Sequence, residues 1–413
     1  MRYLIFLSLI FLIVSCENRK KNNHKPVSPK TNKIEIIGGD YEILQSDNLQ
    51  KAKEILIVVI DPHGDGKFAL SHFKKVSDNF DCTIIGLNDV ENNQKDYMQK
   101  IENDIKSAES KLNLNVKHHF AVGFSGGARM AFQYALSHKT DGVLMCGAGI
   151  NMQKVSNVSF PLAMIIGTKD FNFIEQYYSP YSSVVQNKNV LTLLFEGIHE
   201  WPTEDDILTA MTFLFGKNGF QSEFKTDFIK KGDIFFREKD YFKAFKEYEV
   251  AYKTDFPDGK DKLNDFLKNE KFHKYINEYE AGLQKEMNRN NAYIQDISNK
   301  DLKFWNNEIL RINHLKKSND SFEAASYART KAYLGIAMYS FVGREISNPW
   351  SKTIDNYLEI YEMLEPENPD LWFFKSVRAK QNNNVVLSEK YLKRAFAFGF
   401  QDSLKAKKYD LIH

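Results

Sequence analysis

The sequence predicts an α/β protein, a mostly parallel sheet with helices on both faces, followed by an all-helical region. Strand and helix patterns alternate between residues 33 and 216, which is typical of parallel strands joined by helices. From residue 217 onward no strand pattern remains. A chain of 413 residues is also too long for one ordinary core, so two domains are expected.

One strand stands out. Residues 55–60 form a continuous apolar run rich in β-branched side chains, the pattern of a strand buried on both faces. Helices are predicted at residues 68–79, 92–112 and 126–138. The other strands are predicted at residues 33–37, 41–44, 82–87, 118–123, 142–146, 161–167 and 190–196.

The region after residue 217 contains two segments that resemble tetratricopeptide (TPR) units. The first is a helix pair at residues 228–237 and 241–252, and the second spans residues 369–400. Charged helices between them, at about residues 260–316, match the repeat poorly, and stable arrays need about three units. We predict a TPR-like domain over residues 217–413, with a plain helical bundle as the alternative. The first unit has small or aromatic residues at the contact positions of the motif: Gly232, Tyr241, Ala244, Tyr248 and Ala251.

The first 16 residues resemble a bacterial lipoprotein signal peptide. The apolar stretch at residues 4–14 is too short for a resident membrane span but has the length of a signal-peptide core. It ends in Ile-Val-Ser-Cys, which resembles the lipobox whose cysteine is acylated. The resemblance implies a lipidated Cys16 and, because Glu17 follows it, anchoring to the outer membrane on its periplasmic or surface face. An ordinary cleaved signal peptide is the alternative. Residues 17–33 are polar and predict a tether.

Composition limits the partners. The net charge is +2 and no basic arm is present, so nucleic acid is not expected to bind. No nucleotide, redox or metal motif occurs, so no cofactor is predicted. The two remaining cysteines, Cys82 and Cys146, fall in predicted strands that two other strands separate. They would lie about 14 Å apart, beyond disulfide reach, and are expected to be buried free thiols.

Residues 123–127, Gly-Phe-Ser-Gly-Gly, form a G-x-S-x-G motif between a predicted strand and a predicted helix. In that context the serine, Ser125, is a nucleophile on a sharp and strained turn. Side chains two residues away on either side would clash, so Gly123 and Gly127 are the residue types that the turn requires.

An acid and a histidine follow at the ends of two later strands. Asp170 comes just past the strand at residues 161–167, and His199 just past the strand at residues 190–196. Such a histidine takes the serine proton, and such a carboxylate orients the imidazole. The order Ser, Asp, His is that of α/β hydrolases and not that of chymotrypsin or subtilisin.

Together with the ending Gly-Ile-His-Glu-Trp at residues 197–201, these motifs resemble the α/β-hydrolase superfamily. Within it they are most similar to the polyhydroxybutyrate depolymerase, feruloyl esterase and dienelactone hydrolase groups. The resemblance covers residues 34–216. It implies an eight-stranded sheet with a catalytic triad of Ser125, Asp170 and His199 at the carboxyl ends of the strands.

The resemblance also implies two backbone donors for the oxyanion. One is the amide of Gly126, directly after the nucleophile. The other is expected in Asp-Pro-His-Gly-Asp-Gly at residues 61–66, which resembles the His-Gly motif of the family, and we assign it to the amide of Asp65. Because a carboxylate there would repel the developing charge, we expect the Asp65 side chain to point away or to bind a cationic part of the substrate.

Four side chains are candidates for lining the substrate site: His63, Phe124, Trp201 and Tyr177. Trp201 could equally pack beneath the loop that carries His199, the histidine loop, and Tyr177 could belong to the core. Asp61 and His63 lack a third ligand at matching spacing, so a structural role in their loop is expected and no metal site. No lid segment is evident at residues 149–160, and we hypothesise that the C-terminal helices supply the missing wall.

The sequence therefore predicts a serine hydrolase, an esterase or deacylase. Its substrate would be an extracytoplasmic acyl ester of a small molecule, a glycan or a lipid, cleaved through an acyl-enzyme. A serine peptidase of the same fold is the second interpretation. The third is a non-catalytic, membrane-anchored scaffold whose TPR-like helices bind a protein partner.

Overall fold

The computed structural model describes residues 34–37, 40–46, 48–92, 94–150, 155, 158–220 and 226–412. The predicted signal peptide, Cys16 and the predicted tether lie outside the described residues. Among the described helices, none combines the length and the apolar character needed to cross a membrane.

Eight strands form one sheet in the order β1-β2-β4-β3-β5-β6-β7-β8. β1 pairs antiparallel with β2, and β2 pairs antiparallel with β4. All other neighbours are parallel, so the sheet is mostly parallel and has the eight strands that the resemblance implies. The strands are β1 (Ile34–Ile37), β2 (Tyr41–Gln45), β3 (Ile55–Ile60), β4 (Thr83–Leu87), β5 (His118–Phe124), β6 (Gly142–Cys146), β7 (Leu162–Gly167) and β8 (Val190–Phe195).

The central strand β3 is buried along its whole length, as the apolar run predicts. Because successive side chains of a strand point to opposite faces, β3 serves two separate apolar clusters. Leu56 and Val58 belong to the cluster on one face, and Ile57 and Val59 to the cluster on the other. The helices that cover both faces exclude water from the strands and make the sheet a rigid frame for the loops at its edge.

The register of the parallel strands brings the loops that follow β3, β5, β7 and β8 to one edge. Gly123 pairs with Ile60, and Gly167 pairs with Phe195. Phe124, beside the predicted nucleophile, pairs with Cys146. The carboxyl ends of β3, β5, β7 and β8 therefore meet, and the chain leaving each of them enters the same small region.

Two of the three helices predicted before residue 217 differ in the structure. The helix predicted at residues 68–79 is interrupted by a 3₁₀ turn at Ser71–Phe73. The helix predicted from residue 92 begins only at Tyr97. The helices are α1 (Leu49–Ala52), α2 (Gly66–Leu70), α3 (Lys74–Asn79), α4 (Tyr97–Lys111), α5 (Gly126–Ser137), α6 (Phe173–Gln176), α7 (Ser183–Gln186) and α8 (Glu204–Lys217).

The late start of α4 has a physical cause. The residues before it are used in backbone hydrogen bonds to the loop after β3, where Asp89 N–H donates to Gly64 O and Asn92 N–H donates to Pro62 O. Those bonds hold the chain in a loop that a continuing helix would break. Sequence periodicity cannot register such long-range partners.

All ten helices described after residue 217 lie in the predicted helical region. They are α9 (Phe228–Arg237), α10 (Tyr241–Lys253), α11 (Gly259–Leu267), α12 (Glu270–Asp296), α13 (Leu302–Leu315), α14 (Ser321–Glu345), α15 (Ile354–Leu364), α16 (Pro369–Gln381), α17 (Val385–Ala397) and α18 (Ser403–Lys408).

Two helix pairs, α9–α10 and α16–α17, occupy the two segments with the TPR-like pattern. Gly232 lies against the ring of Tyr248, where a methyl group would come within 2.4 Å of the ring. Between the pairs lie α12 and α14, of 27 and 25 residues. The region is helical as predicted, while its TPR character stays a prediction.

The helical region does not begin a fully separate core at residue 217. Phe245 and Phe272 belong to the cluster on one face of the sheet, and Phe228 and Val250 to the cluster on the other. A third cluster, with Trp305 and Trp372, fills the C-terminal helices alone. The described chain from residue 34 onward thus forms one compact unit.

Candidate active site

The chain turns sharply between β5 and α5. Ser125 has φ 52° and ψ −117°, a left-handed backbone conformation that costs a non-glycine residue on the order of 1–3 kcal/mol. A methyl group on Gly123 would come within 2.2 Å of Gly127 O, and one on Gly127 within 2.2 Å of Ile60 O. Both glycines are therefore needed where the motif has them, and the turn lifts the Ser125 hydroxyl above the sheet.

The three predicted triad residues lie in one hydrogen-bonded series. His199 Nε2 is 2.9 Å from Ser125 Oγ, and His199 Nδ1 is 2.9 Å from Asp170 Oδ2. Their sequence separations are 74 and 29 residues, so the tertiary fold brings them together. The geometry is that of a nucleophile, a base and an orienting carboxylate.

Asp170 is completely buried. Its second oxygen, Oδ1, accepts a 2.8 Å hydrogen bond from the backbone N–H of Asn172, whose side chain is tied in turn to Gly147 O. Burial raises the pKa of the Asp170 carboxyl above its ordinary value, while His199 and the Asn172 amide oppose that rise. With both oxygens occupied, the carboxylate holds the imidazole in one orientation.

Aromatic rings hold His199 from two sides. The rings of Phe171 and Phe124 lie 4.3 and 4.8 Å from the imidazole, centre to centre. Phe124 also lines the cleft described below, as predicted. Such contacts restrict the ring to the plane in which it can reach both Ser125 and Asp170.

Of the two positions predicted for Trp201, the structure has the one beneath the histidine loop and not the one in the substrate site. It is buried, its indole N–H donates a 2.8 Å hydrogen bond to Asp61 Oδ2, and it is absent from the cleft lining. Asp61 is buried as well. Although burial acts to raise it, the hydrogen bonds from His63 and Trp201 hold the pKa of the Asp61 carboxyl below its ordinary value. Asp61 thus ties the loop after β3 to the histidine loop, a structural role.

The loop after β3 enters the cleft through Pro62 and His63 and not through Asp65. The Asp65 carboxylate points away from the site, as expected, because it caps α2 by accepting a 2.8 Å hydrogen bond from Phe68 N–H. Asp65 does not line the cleft, and the assignment of its amide as an oxyanion donor stays a prediction. Gly126, by contrast, is the first residue of α5, and a first helical residue has no intrahelical acceptor for its N–H.

Ser125 opens into a cleft of about 1180 Å³ between two walls. One wall comes from the loops at the sheet edge. The other comes from the C-terminal helices, as hypothesised for a chain without a lid. The sheet wall consists of Pro62, His63, Glu91, Asn92, Phe124, Ser125, Arg129, Phe171, Asn172 and His199, and the helical wall of Gly335, Ile336, Tyr339, Tyr361, Glu365, Asn368, Asp370, Gln401, Asp402 and Ser403.

Tyr177 does not line this cleft, so of the two roles predicted for it, substrate site and core, the structure has the second. Its hydroxyl donates a 3.0 Å hydrogen bond to Glu280 Oε1 on α12, and its ring packs against Phe242 and Tyr279. Tyr177 therefore holds helices against the sheet region. The pattern of the sequence around it, rich in tyrosine, does not distinguish a pocket from an interface.

Arg329 on α14 joins the C-terminal helices to the loop that carries Asp170, the acid loop. Its side chain makes a buried two-bond ion pair with Glu286, at 2.8 and 2.6 Å. Its third nitrogen, Nη1, donates a 2.6 Å hydrogen bond to the backbone oxygen of Thr168, two residues before Asp170. Arg329 thus supports the loop that carries the triad carboxylate.

Several residues of the site escaped the sequence analysis, among them Asn92, Arg129, Phe171 and Arg329. No local motif marks them. The only available signal was that Asn92 and Phe171 follow strands of a parallel sheet, where side chains meet at the carboxyl edge. In the described part of the chain, no group of three His, Cys, Asp or Glu side chains is placed to hold a metal ion.

No family model matches the chain, and no curated protein matches it. Solved structures of serine hydrolases are similar to it at low identity. Esterase PE8 is 16% identical with a TM-score of 0.33, over 42% of this chain and 96% of that one. The fluorophosphonate-binding serine hydrolase FphF of Staphylococcus aureus is 13% identical with a TM-score of 0.32, over 42% and 91%.

A third solved structure is XC6422 of Xanthomonas campestris, described as a serine hydrolase without a lid. It is 12% identical with a TM-score of 0.33, over 49% of this chain and 100% of that one. Each likeness covers most of the smaller neighbour and no more than about half of this chain.

Proposed function

We propose that the chain is a serine hydrolase that cleaves acyl esters through an acyl-enzyme on Ser125. The observation that carries the proposal is the hydrogen-bonded series Ser125–His199–Asp170, held on a strained turn and open to a cleft. A strained serine backbone is retained only where the surrounding structure enforces it, which favours a functional reason for it.

The reaction follows from the positions of the three groups. Ser125 Oγ attacks the acyl carbonyl while His199 Nε2 takes its proton, and Asp170 stabilises the imidazolium. The tetrahedral intermediate carries its negative charge on the former carbonyl oxygen, beside the Gly126 N–H. The intermediate collapses, the carbonyl–oxygen bond to the leaving group breaks, and His199 returns the proton to that oxygen. Water then repeats the steps and releases the acid.

The cleft favours a substrate that is neutral or cationic where it meets the helical wall. That wall carries the carboxylates of Glu365, Asp370 and Asp402, of which Asp370 is paired with Lys405 at 2.8 Å. Arg129 on the sheet wall is paired with Glu175 at 2.7 Å. An anionic group near Glu365 or Asp402 would meet a like charge, so we propose a hydroxyl-rich or amine-bearing ester, such as an acylated glycan, over an acidic one.

We further propose that Cys16 is lipidated and that the polar segment at residues 17–33 holds the enzyme near an outer membrane. The lipobox-like sequence supports this proposal. A diacyl anchor would confine the enzyme to esters presented at or near that surface. Globomycin-sensitive processing and radiolabelling with palmitate, both lost in Cys16→Ala, would test it.

A peptidase of the same fold is the second candidate. It is favoured by the volume of the cleft, about 1180 Å³ between two walls, which can hold a peptide segment. A scaffold without chemistry is the third, and it is disfavoured because a disabled site has no need for the strained Ser125. Under that interpretation the helices would serve a protein partner.

The test compares the full chain, purified in detergent, with Ser125→Ala and with Ser110→Ala, an exposed serine on α4. Hydrolysis of p-nitrophenyl acetate and butyrate is measured together with labelling by a fluorophosphonate. Wild type and Ser110→Ala should turn over and label, while Ser125→Ala should do neither.

A folded wild type that neither labels nor hydrolyses an ester would refute the hydrolase and favour the scaffold. Labelling with no ester turnover, but with cleavage of peptide p-nitroanilides, would favour the peptidase.

A further inference from the structure

We propose that the side-chain amide of Asn92 is the second donor to the oxyanion, opposite the backbone N–H of Gly126. The proposal rests on the proposed serine-hydrolase function. It replaces the backbone donor expected from residues 61–66, the His-Gly loop, with a side chain from the next loop of the sheet, the one after β4.

Three backbone N–H groups of the His-Gly loop, those of His63, Gly64 and Gly66, are used within the loop or by its neighbour. His63 N–H donates to Asp61 Oδ1 at 2.9 Å, and Gly64 N–H donates to Asp61 O at 3.1 Å. Gly66 N–H donates to Asn88 Oδ1 at 3.0 Å. A carbonyl oxygen in the cleft could be met by these three N–H groups only if those bonds broke. Asp65, whose N–H is in none of these bonds, does not line the cleft.

The loop after β4 brings Asn92 to the sharp turn that carries Ser125. The bond from Asn92 N–H to Pro62 O, at 3.2 Å, and that from Asp89 N–H to Gly64 O, also at 3.2 Å, bind this loop along the His-Gly loop. His63 and Glu91 form a short antiparallel bridge beside them. The backbone that carries Asn92 is therefore held against the His-Gly loop.

The carboxamide of Asn92 lies directly against the first donor. A methyl group in place of a hydrogen on Gly126 would come within 1.7 Å of Asn92 Oδ1 and 3.3 Å of Asn92 Nδ2. Glycine is thus the only residue type at position 126 that leaves room for the side-chain amide of Asn92. Asn92 lines the same cleft as Ser125 and His199.

The carboxamide is also free to act. Within the described part of the chain it has no hydrogen-bond partner, and the side chain is exposed to the cleft. The amide oxygen lies nearer to Gly126 than the amide nitrogen does, and in the described residues no hydrogen bond opposes a rotation about the Cβ–Cγ bond. Such a rotation would turn the N–H groups toward the negative charge that forms when Ser125 attacks. A donor of this kind contributes in the transition state and little in the ground state.

The test uses the full chain in detergent and the variants Asn92→Ala, Asn92→Asp and Asn115→Ala. Asn115 is exposed before the amino end of β5 and serves as the control. The measurements are kcat and KM for p-nitrophenyl butyrate at pH 8, and the inhibition constant of an aryl trifluoromethyl ketone. Ser125 adds to the carbonyl group of that ketone, and the adduct places an oxyanion in the site.

We expect Asn92→Ala to lower kcat about 100-fold with KM nearly unchanged, and to weaken ketone inhibition in parallel. Asn92→Asp has the same shape but a charge that repels the oxyanion, so its kcat should lie below that of Asn92→Ala. Asn115→Ala should match wild type. A purely structural role for Asn92 predicts the reverse order, because the aspartate preserves the packing.

An active wild type with wild-type kcat in Asn92→Ala, or with Asn92→Asp more active than Asn92→Ala, would overturn the assignment and leave the hydrolase intact. A wild type inactive towards ester and probe would overturn the proposed function, and this assignment with it.

Discussion

The helices after the sheet meet it in two different ways. The near helices, residues 228–283, add their apolar side chains to the two clusters that cover the sheet. The far helices, residues 302–408, pack around a third cluster of their own. The 27-residue helix α12 connects them, with Phe272 in a sheet cluster and Tyr293 in the third.

The polar contacts differ in the same way. The near helices are joined to β8 by a buried network in which Glu249 pairs with Lys253 at 2.7 Å and with Lys246. Lys246 also bonds Thr192, and Lys253 bonds Val190 O. From the far helices, Arg329 reaches the acid loop, and exposed side chains face Ser125 across the cleft.

The difference teaches that the two halves have separate tasks. The near helices complete the core of the sheet and cannot be removed without exposing it. The far helices have their own core and form the second wall of the cleft. A boundary at residue 217, which the sequence favours, divides the chain by secondary structure but not by core.

The largest effect is expected where the near helices are joined to β8. Glu249→Ala would leave Lys253, which is fully buried, and Lys246 without their carboxylate. Removal of one partner of a buried pair costs about 3–5 kcal/mol. The loss in free energy of unfolding is measured by urea unfolding monitored by circular dichroism.

Asp265→Ala is the matched control, because Asp265 on α11 forms an ion pair with Lys268 that is about four-fifths exposed on each side. Such a pair contributes no more than about 1 kcal/mol. Equal losses in the two variants would mean that the near helices are not joined to the sheet through Glu249.

A second measurement concerns the sheet region alone. Asp104 on α4 is buried, near Lys100, Asp40 and Asp89, and burial raises its pKa from 3.8 to about 6. The folded state binds the proton more tightly than the unfolded state, so this group stabilises the fold below pH 4. That contribution is lost as the pH rises from 4 to 6. Asp104→Asn should remove this slope and raise stability at pH 7 by on the order of 2 kcal/mol.

Urea unfolding between pH 4 and 8 checks this, with Asp96→Asn, an exposed residue before α4, as control. Because Asp104 lies outside both helical halves, kcat should not change. A change of kcat in Asp104→Asn would show that the sheet and the site are coupled more widely than the comparison allows.

A third measurement tests how the far helices reach the triad. Arg329→Lys keeps a charge beside Glu286 but cannot also bond Thr168 O. We expect a loss of about 1–2 kcal/mol in stability and a several-fold lower kcat with KM unchanged. The pH dependence of kcat should shift as well, because the Asp170 loop relaxes.

Arg289→Lys is the control, since Arg289 bonds Ser326 and Thr330 within the helices. It should lose stability but keep kcat. If both variants lower kcat alike, Arg329 acts through general helix packing and not through Thr168.

The smallest effect is expected at the helical wall. Ile336 on α14 is 47% exposed and faces the cleft. Ile336→Ala should raise KM about threefold to tenfold for a bulky acyl ester, and leave p-nitrophenyl acetate unaffected, because only the larger substrate reaches the wall. Arg344→Ala on the same helix, outside the cleft lining, is the control. Unchanged KM for every ester would mean that the far helices do not contact substrate.

The alternation of strands and helices, the apolar run of β3 and the Gly-Phe-Ser-Gly-Gly turn are local patterns, and the strands and the elbow follow them closely. Asp170 and His199 could be selected because parallel strands place their ends at one edge. Asn92, Arg329 and the helical wall could not, since each depends on contacts between segments far apart in the chain. Trp201 and Tyr177 show the same limit, because an aromatic residue after a strand serves a pocket or a core equally well.

The sequence by itself determined the mostly parallel sheet, the helical C-terminal region and the three residues of the series Ser125–His199–Asp170. Periodicity, the glycine requirement of the turn and strand-end position are written in neighbouring residues, so the sequence suffices for them. Only the tertiary structure decided which loop groups face Ser125, that the near helices share the core of the sheet, and that the far helices close the cleft. Those outcomes depend on which buried donors and apolar faces meet, and that is fixed when the whole chain packs.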